Sequence, residues 1–156
     1  MSLSVGTQAP DFLLINTNGE KVSLKNFEGK HVVLLFFPFA NSSVCEEEMC
    51  STRDNLKIYE TLDAQVLGIS VDSHYSLKLW REKLNLNFPL LSDFNKEASK
   101  KYGVLNELHG PGKYDYLGVS KRSAFVIGKD GKIKYAEVCE HNGLQPDYEA
   151  IKNSLK

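Results

Sequence analysis

Val32-Val33-Leu34-Leu35-Phe36-Phe37-Pro38-Phe39-Ala40-Asn41-Ser42-Ser43-Val44-Cys45 is the stretch on which the fold turns. Its first six residues form an unbroken run of β-branched, aliphatic and aromatic side chains. That pattern marks a strand buried on both faces, since a half-exposed strand would alternate with polar residues. Pro38 ends the strand, because its nitrogen has no hydrogen to give a central ladder. From Val44 to about Tyr59 the chain has neither Gly nor Pro, and Met49, Leu56 and Tyr59 recur among charged residues. This predicts a helix whose first turn holds Cys45.

On the N-terminal side, Phe12 to Ile15 and Lys21 to Leu24 flank Asn18-Gly19, a strong turn signal, and predict a β-hairpin. On the C-terminal side, Gln65 to Val71 reads as a second buried strand. Ser73 to Leu84 reads as a helix with Leu77, Trp80 and Leu84 on one face. Pro89-Leu90-Leu91 is a short strand, and Asn95 to Tyr102 a helix capped by Gly103. Residues 105–120 hold three glycines and Pro111 and read as an irregular insert. Ser123 to Ile127 and Lys132 to Val138 flank the turn at Lys129-Asp130-Gly131 and pair antiparallel, and Pro146 opens a last helix. The order β-α-β-α-β-(α)-β-β-α describes a thioredoxin-like α/β fold: a central mixed β-sheet flanked by helices, with an N-terminal β-hairpin.

A length of 156 residues, without repeat or linker, predicts a single domain over 1–156. The formal net charge of −1 gives no electrostatic case for nucleic acid or an anionic membrane. Met1 to Pro10 lacks a basic and then an apolar stretch, so no signal peptide is expected. The longest apolar run is too short to span a bilayer. A cytoplasmic location is the expectation. Three cysteines, Cys45, Cys50 and Cys139, are too few and odd in number for a secreted disulfide framework. They leave catalytic, metal-binding and merely buried readings open.

Cys45 in a first helical turn faces unpaired backbone N–H groups and the positive end of the dipole. That placement lowers a thiol pKa, and the thiolate is the nucleophile. Ser42, three residues earlier, can bring a hydroxyl beside the sulfur, and Pro38 can shield it from water. A plain N-cap serine followed by a buried cysteine fits the spacing equally well.

Pro38-x-x-x-Ser42-x-x-Cys45 resembles the Pro-x-x-x-Thr/Ser-x-x-Cys signature of the peroxiredoxins. The likeness extends over nearly the whole chain. Ala9-Pro10-Asp11-Phe12, Leu67-Gly68-Ile69-Ser70-Val71-Asp72-Ser73, Phe88-Pro89-Leu90-Leu91-Ser92-Asp93 and Lys101-Tyr102-Gly103-Val104 resemble family segments in the same order, and Arg122-x-x-Phe125-Val126-Ile127 resembles the strand carrying the family's arginine. The resemblance implies a thiol peroxidase acting on hydrogen peroxide and organic hydroperoxides. Cys45 would be the peroxidatic thiolate, oxidised to sulfenic acid. Arg122 would hold the thiolate and the developing oxyanion, with Ser42 positioning the peroxide and Pro38 sealing the pocket. Glu48, one turn after Cys45, would orient Arg122. No metal or organic cofactor is implied, and a thioredoxin-like reductant would close the cycle. Monomer and homodimer both stay open.

Cys45-x4-Cys50-x2-Arg53-Asp54-Asn55 resembles the branch named for the bacterioferritin comigratory protein, in which a second helix cysteine resolves the sulfenic acid. That implies an atypical two-cysteine enzyme resolved by Cys50. A one-cysteine peroxiredoxin, a general thiol–disulfide oxidoreductase and a thioredoxin-like redox sensor or binding module are the alternatives. Two departures from the family pattern stand beside the site. Position 42 is Ser where Thr is usual, and Glu46-Glu47-Glu48 follows the cysteine where Thr is usual at the first position. Carboxylates near a thiolate disfavour it, by up to about one pKa unit on an exposed turn. Cys139-Glu140-His141 lacks a second ligand pair at metal spacing, and His31, His74 and His109 have no patterned partners.

Overall fold

The computed structural model describes residues 3–141 and 143–156. A seven-stranded sheet runs in the order Lys21–Ser23, Leu13–Asn16, Leu90–Ser92, Ala64–Ser70, His31–Phe36, Ser123–Ile127, Ile133–Val138 (β2-β1-β5-β4-β3-β8-β9). The stretch that ends at Pro38 forms β3 (His31–Phe36) at its heart. β3 pairs in parallel with β4 (Ala64–Ser70) and antiparallel with β8 (Ser123–Ile127). β5 (Leu90–Ser92) continues the parallel part, and β9 (Ile133–Val138) the antiparallel part. The N-terminal hairpin, β1 (Leu13–Asn16) and β2 (Lys21–Ser23), adds antiparallel to β5, and its turn uses Gly19 at φ +78°. The sheet is therefore mixed, as the sequence pattern implies, and the fold is thioredoxin-like.

The apolar run of β3 divides between two cores because side chains alternate across a sheet. Val33, Leu35 and Phe37 enter one core with Met49, Leu77, Trp80 and Ile151. Val32, Leu34 and Phe36 enter the other with Tyr102, Val104 and Phe125. All six are at most 2% exposed. Each such side chain contributes about 1.5–3 kcal/mol relative to exposure. α1 (Ser43–Asp54) and α3 (His74–Leu84) cover the first face, and α4 (Glu97–Lys101) packs on the second. Gly68 on β4 makes room for the first face: a Cβ there would lie 2.6 Å from Leu90 Cδ2, and Met49 Sδ of α1 and a Phe37 ring carbon stand just behind.

Several boundaries differ from the sequence reading, and the helix expected over Asn95 to Tyr102 is the shorter Glu97–Lys101. The helix expected from Val44 to Tyr59 breaks at Asn55 into α1 and α2 (Leu56–Thr61). Asn55 leaves helical geometry at φ −107°, ψ 8°, and its side-chain amide donates to the Ser51 carbonyl at 2.8 Å. A side chain that competes for backbone partners in this way ends helices. The insert at 105–120 is ordered by a small ladder, β6 (Leu105–Asn106) against β7 (Val119–Ser120), with an isolated bridge between His109 and Tyr116. The last helix, α5 (Tyr148–Ser154), starts after Pro146, with Asp147 as its N-cap accepting from the Ala150 N–H at 3.0 Å. No helix among the described residues is long and apolar enough to cross a membrane.

Candidate active site

β3 delivers the chain through Phe37 and Pro38 into a loop that turns at Asn41, a residue that tolerates the left-handed conformation it adopts at φ +71°. Asp72, just past the end of β4, braces this loop: one carboxylate oxygen accepts from the Ala40 N–H at 2.8 Å and from the Ser70 hydroxyl at 2.6 Å. Ser42 is the N-cap residue of α1, and Cys45, the third helical residue, lies in the first turn as the sequence predicts. The Ser42 hydroxyl donates to the Phe39 carbonyl at 3.2 Å and does not cap the helix, so it belongs to the loop.

Cys45 is fully buried and is a free thiol. Arg122 arrives from immediately before β8, beside β3 in the sheet, and its Nη2 donates to Cys45 Sγ at 3.2 Å. Its Nη1 donates to Glu48 Oε1 at 2.6 Å, with side-chain exposures of 1% and 0%. One guanidinium thus holds a sulfur and a carboxylate that share a face of α1, three residues apart. Of the three consecutive glutamates only Glu48 turns inward. Glu47 is exposed and accepts from Gln145 Nε2 at 2.9 Å. Burial pushes the Glu48 carboxyl up, to about 7, against the opposing pull of Arg122. Its second oxygen, Oε2, is buried and has no hydrogen-bond partner among the described residues.

Pro38, Phe39, Ser42, Ser43, Val44, His109, Arg122 and Gly143 line a cleft of about 180 Å³ at this cluster. Arg122 thus links Pro38 and Ser42, which line the cleft with it, to Cys45 and Glu48, which are buried behind it. Cys50, half-buried on the same helix, stays free, and no disulfide links it to Cys45. Cys139 is buried, and its backbone N–H donates to the Arg122 carbonyl at 2.8 Å. Burial, reinforced by Glu137 and Glu48 and offset by Arg122, pushes its thiol up to about 11. Two residues escaped the sequence reading. Asp72 had a legible signal, an acid at the end of a buried strand. His109 had none, because Phe39, the active-site-loop ring it packs against, lies 70 positions away in sequence.

A thiol at the start of the helix that follows the central strand, held by a buried arginine, defines a thiol-dependent oxidoreductase of the thioredoxin-like class. The AhpC/TSA family model matches residues 5–136. The chain belongs to that family, the peroxiredoxins, and to its branch of Bcp-like proteins. Alkyl hydroperoxide reductase E of Mycobacterium tuberculosis is 38% identical over 139 residues, covering 87% of this chain and 86% of that protein. Peroxiredoxin Bcp of Bacillus subtilis is 35% identical over 133 residues, covering 85% and 83%. Among solved structures, a cysteine-to-serine mutant of PrxQ from Xylella fastidiosa superposes with a TM-score of 0.86 at 26% identity, covering 99% of this chain and 96% of that one. Peroxidoxin BcpB from M. tuberculosis gives 0.84 at 27%, covering 98% and 96%. The chain is thus an oxidoreductase, a thiol peroxidase.

Proposed function

We propose that Cys45 is the peroxidatic residue, and that the bond from Arg122 Nη2 to its sulfur is the observation that carries this reading. A thiolate so held attacks the terminal oxygen of a hydroperoxide. An S–O bond forms as the O–O bond breaks, sulfur goes to sulfenic acid, and water or alcohol leaves once the departing oxygen gains a proton. Arg122 offers a charge-assisted donor to the sulfur and to the charge that develops on oxygen. Glu48 fixes the guanidinium plane. Ser42 lies in the cleft, where its hydroxyl can accept from the bound peroxide or turn from the Phe39 carbonyl to donate to it, and Pro38 limits water.

The resolving step is assigned to Cys50, whose thiol attacks the sulfenic sulfur, forms a disulfide and releases water. A dithiol protein of the thioredoxin kind then supplies two electrons and two protons. The reading takes the chain as a single domain working in a reducing compartment, the cytoplasm. The test is peroxide consumption by purified Cys45→Ser and wild-type protein with a thiol reductant. Turnover should vanish in the variant while its circular dichroism spectrum stays native, and substantial residual turnover would refute the assignment.

A further inference from the structure

The insert at residues 105–120 brings to the peroxide cleft a wall that comes from outside the Pro38–Cys45 segment. Its construction is local. His109 and Tyr116 exchange backbone hydrogen bonds, N–H to carbonyl at 2.7 Å and 3.0 Å. Gly110, at φ +66°, makes the return possible: its carbonyl collects the N–H groups of Lys113, Tyr114 and Asp115, and a Cβ there would meet the Tyr114 ring at 2.8 Å. The chain therefore doubles back and stacks the rings of His109 and Tyr116 nearly parallel, 15° apart with centroids at 6.5 Å.

Phe39 joins this pair from the active-site loop. Its ring meets His109 edge-on at 5.2 Å and Tyr116 at 5.6 Å. His109 is only 8% exposed and lines the same cleft as Pro38, Ser42, Val44 and Arg122. Burial and the Arg122 guanidinium lower its imidazole from the usual range, so the wall is uncharged at neutral pH. At about 180 Å³ the cleft is smaller than the roughly 300 Å³ at which pockets for drug-sized ligands begin.

We propose that His109 is a specificity-determining residue, a rigid aromatic wall that narrows the peroxide cleft and selects small hydroperoxides over bulky ones. The proposal rests on the reading of Cys45 as the peroxidatic residue. An aromatic ring held by two neighbours cannot swing aside without breaking both contacts. A bulky substituent on the peroxide must therefore displace Phe39, which sits three residues before Ser42.

The test is the ratio of kcat/KM for cumene hydroperoxide to that for hydrogen peroxide. His109→Ala should raise the ratio about tenfold, the scale set by removing bulk from an apolar pocket. His109→Phe, which keeps a ring, should hold it near the wild-type value. Tyr116→Leu, which loosens the stack but leaves His109, should raise it by a smaller factor and serves if His109→Ala does not fold. An unchanged ratio in His109→Ala, or an equal loss with both peroxides, overturns the proposal. Failure of the Cys45 reading would show separately, as persistent turnover of both peroxides in Cys45→Ser.

Discussion

Arg122 and Glu48, 74 positions apart in the chain, meet through Nη1 and Oε1 at 2.6 Å with both side chains sealed from solvent. The remaining arm of the fork reaches Cys45. Two acidic groups share one cation, so whatever weakens one of these contacts redistributes the other.

Removing the cation tests the sulfur's side of this arrangement. In Arg122→Met the rate at which hydrogen peroxide oxidises Cys45 should fall about tenfold, the scale of losing one charge-assisted donor to the reacting sulfur. Arg122→Lys should recover only part, because an ammonium cannot serve two acceptors with the fixed geometry of the guanidinium fork. Equal oxidation rates in wild type and Arg122→Met would remove Arg122 from the sulfur's support.

The carboxylate's side predicts a pH dependence of stability. The folded Glu48 carboxyl sits at about 7, raised by burial from 4.5. A raised acid holds its proton in the folded state after the unfolded chain has released it. Above about pH 4.5 the unfolded state therefore binds fewer protons, and stability falls as pH rises toward 7, then levels off. Glu48→Gln keeps the shape without the titration. Its melting temperature should gain on wild type progressively between pH 4.5 and 7, and parallel melting curves across that window would contradict the assignment.

The central strand and the helix start were legible because their signals are local. Six consecutive apolar residues, a proline stop and a helix free of Gly and Pro need no partner to be read. Asn55 was harder, since an amide interrupts a helix only when its side chain finds a nearby carbonyl, here that of Ser51. The assembled site was legible only through resemblance. Arg122 lies 77 positions from Cys45, and nothing in its own neighbours says that the sheet will place β8 beside β3. His109 was read as unpatterned because its partners are rings at 39 and 116, which meet it through a fold that the glycines of the insert concealed.

Cys139 lies close enough to the pair to feel both charges, yet its chemistry should be silent. With its thiol pushed up to about 11, thiolate is scarce at neutral pH. Iodoacetamide labelling of the native protein followed by peptide mass spectrometry should find Cys139 the slowest of the three cysteines. Cys139→Ala should leave peroxide turnover within about twofold of wild type, and a Cys139 that labels as fast as Cys50 would contradict the shielding.

The last prediction concerns movement, and it follows from where α1 is held. Cys45 and Cys50 lie on one unbroken helix. Five residues at about 1.5 Å rise and 100° each, on a radius of about 2.3 Å, put their α-carbons roughly 8.6 Å apart with side chains about 140° apart. A disulfide needs roughly 7 Å or less and converging β-carbons, so the helix must open before Cys50 can act. Its far end is pinned to the end of α3 and the loop beyond: Arg53 Nη1 donates to the Leu84 carbonyl at 2.5 Å, and Asn87 Nδ2 to the Arg53 carbonyl at 3.3 Å. Its near end is held by Arg122 on Cys45 and Glu48, and by Gln145 on Glu47. Oxidation of Cys45 to sulfenic acid removes the sulfur's negative charge and so weakens the first of these bonds. The buried Arg122–Glu48 pair and the exposed Gln145–Glu47 bond then hold the N-terminal turns, and the exposed bond should give first. Peroxide-treated protein should carry a Cys45–Cys50 disulfide on peptide mapping and exchange amide hydrogens faster across residues 43–51. Gln145→Ala, which removes a bond worth about 1 kcal/mol, should speed disulfide formation roughly two- to fivefold without changing the rate of peroxide attack. A sulfenic acid that persists on Cys45 beside reduced Cys50 would overturn the two-cysteine mechanism and leave a one-cysteine peroxidase.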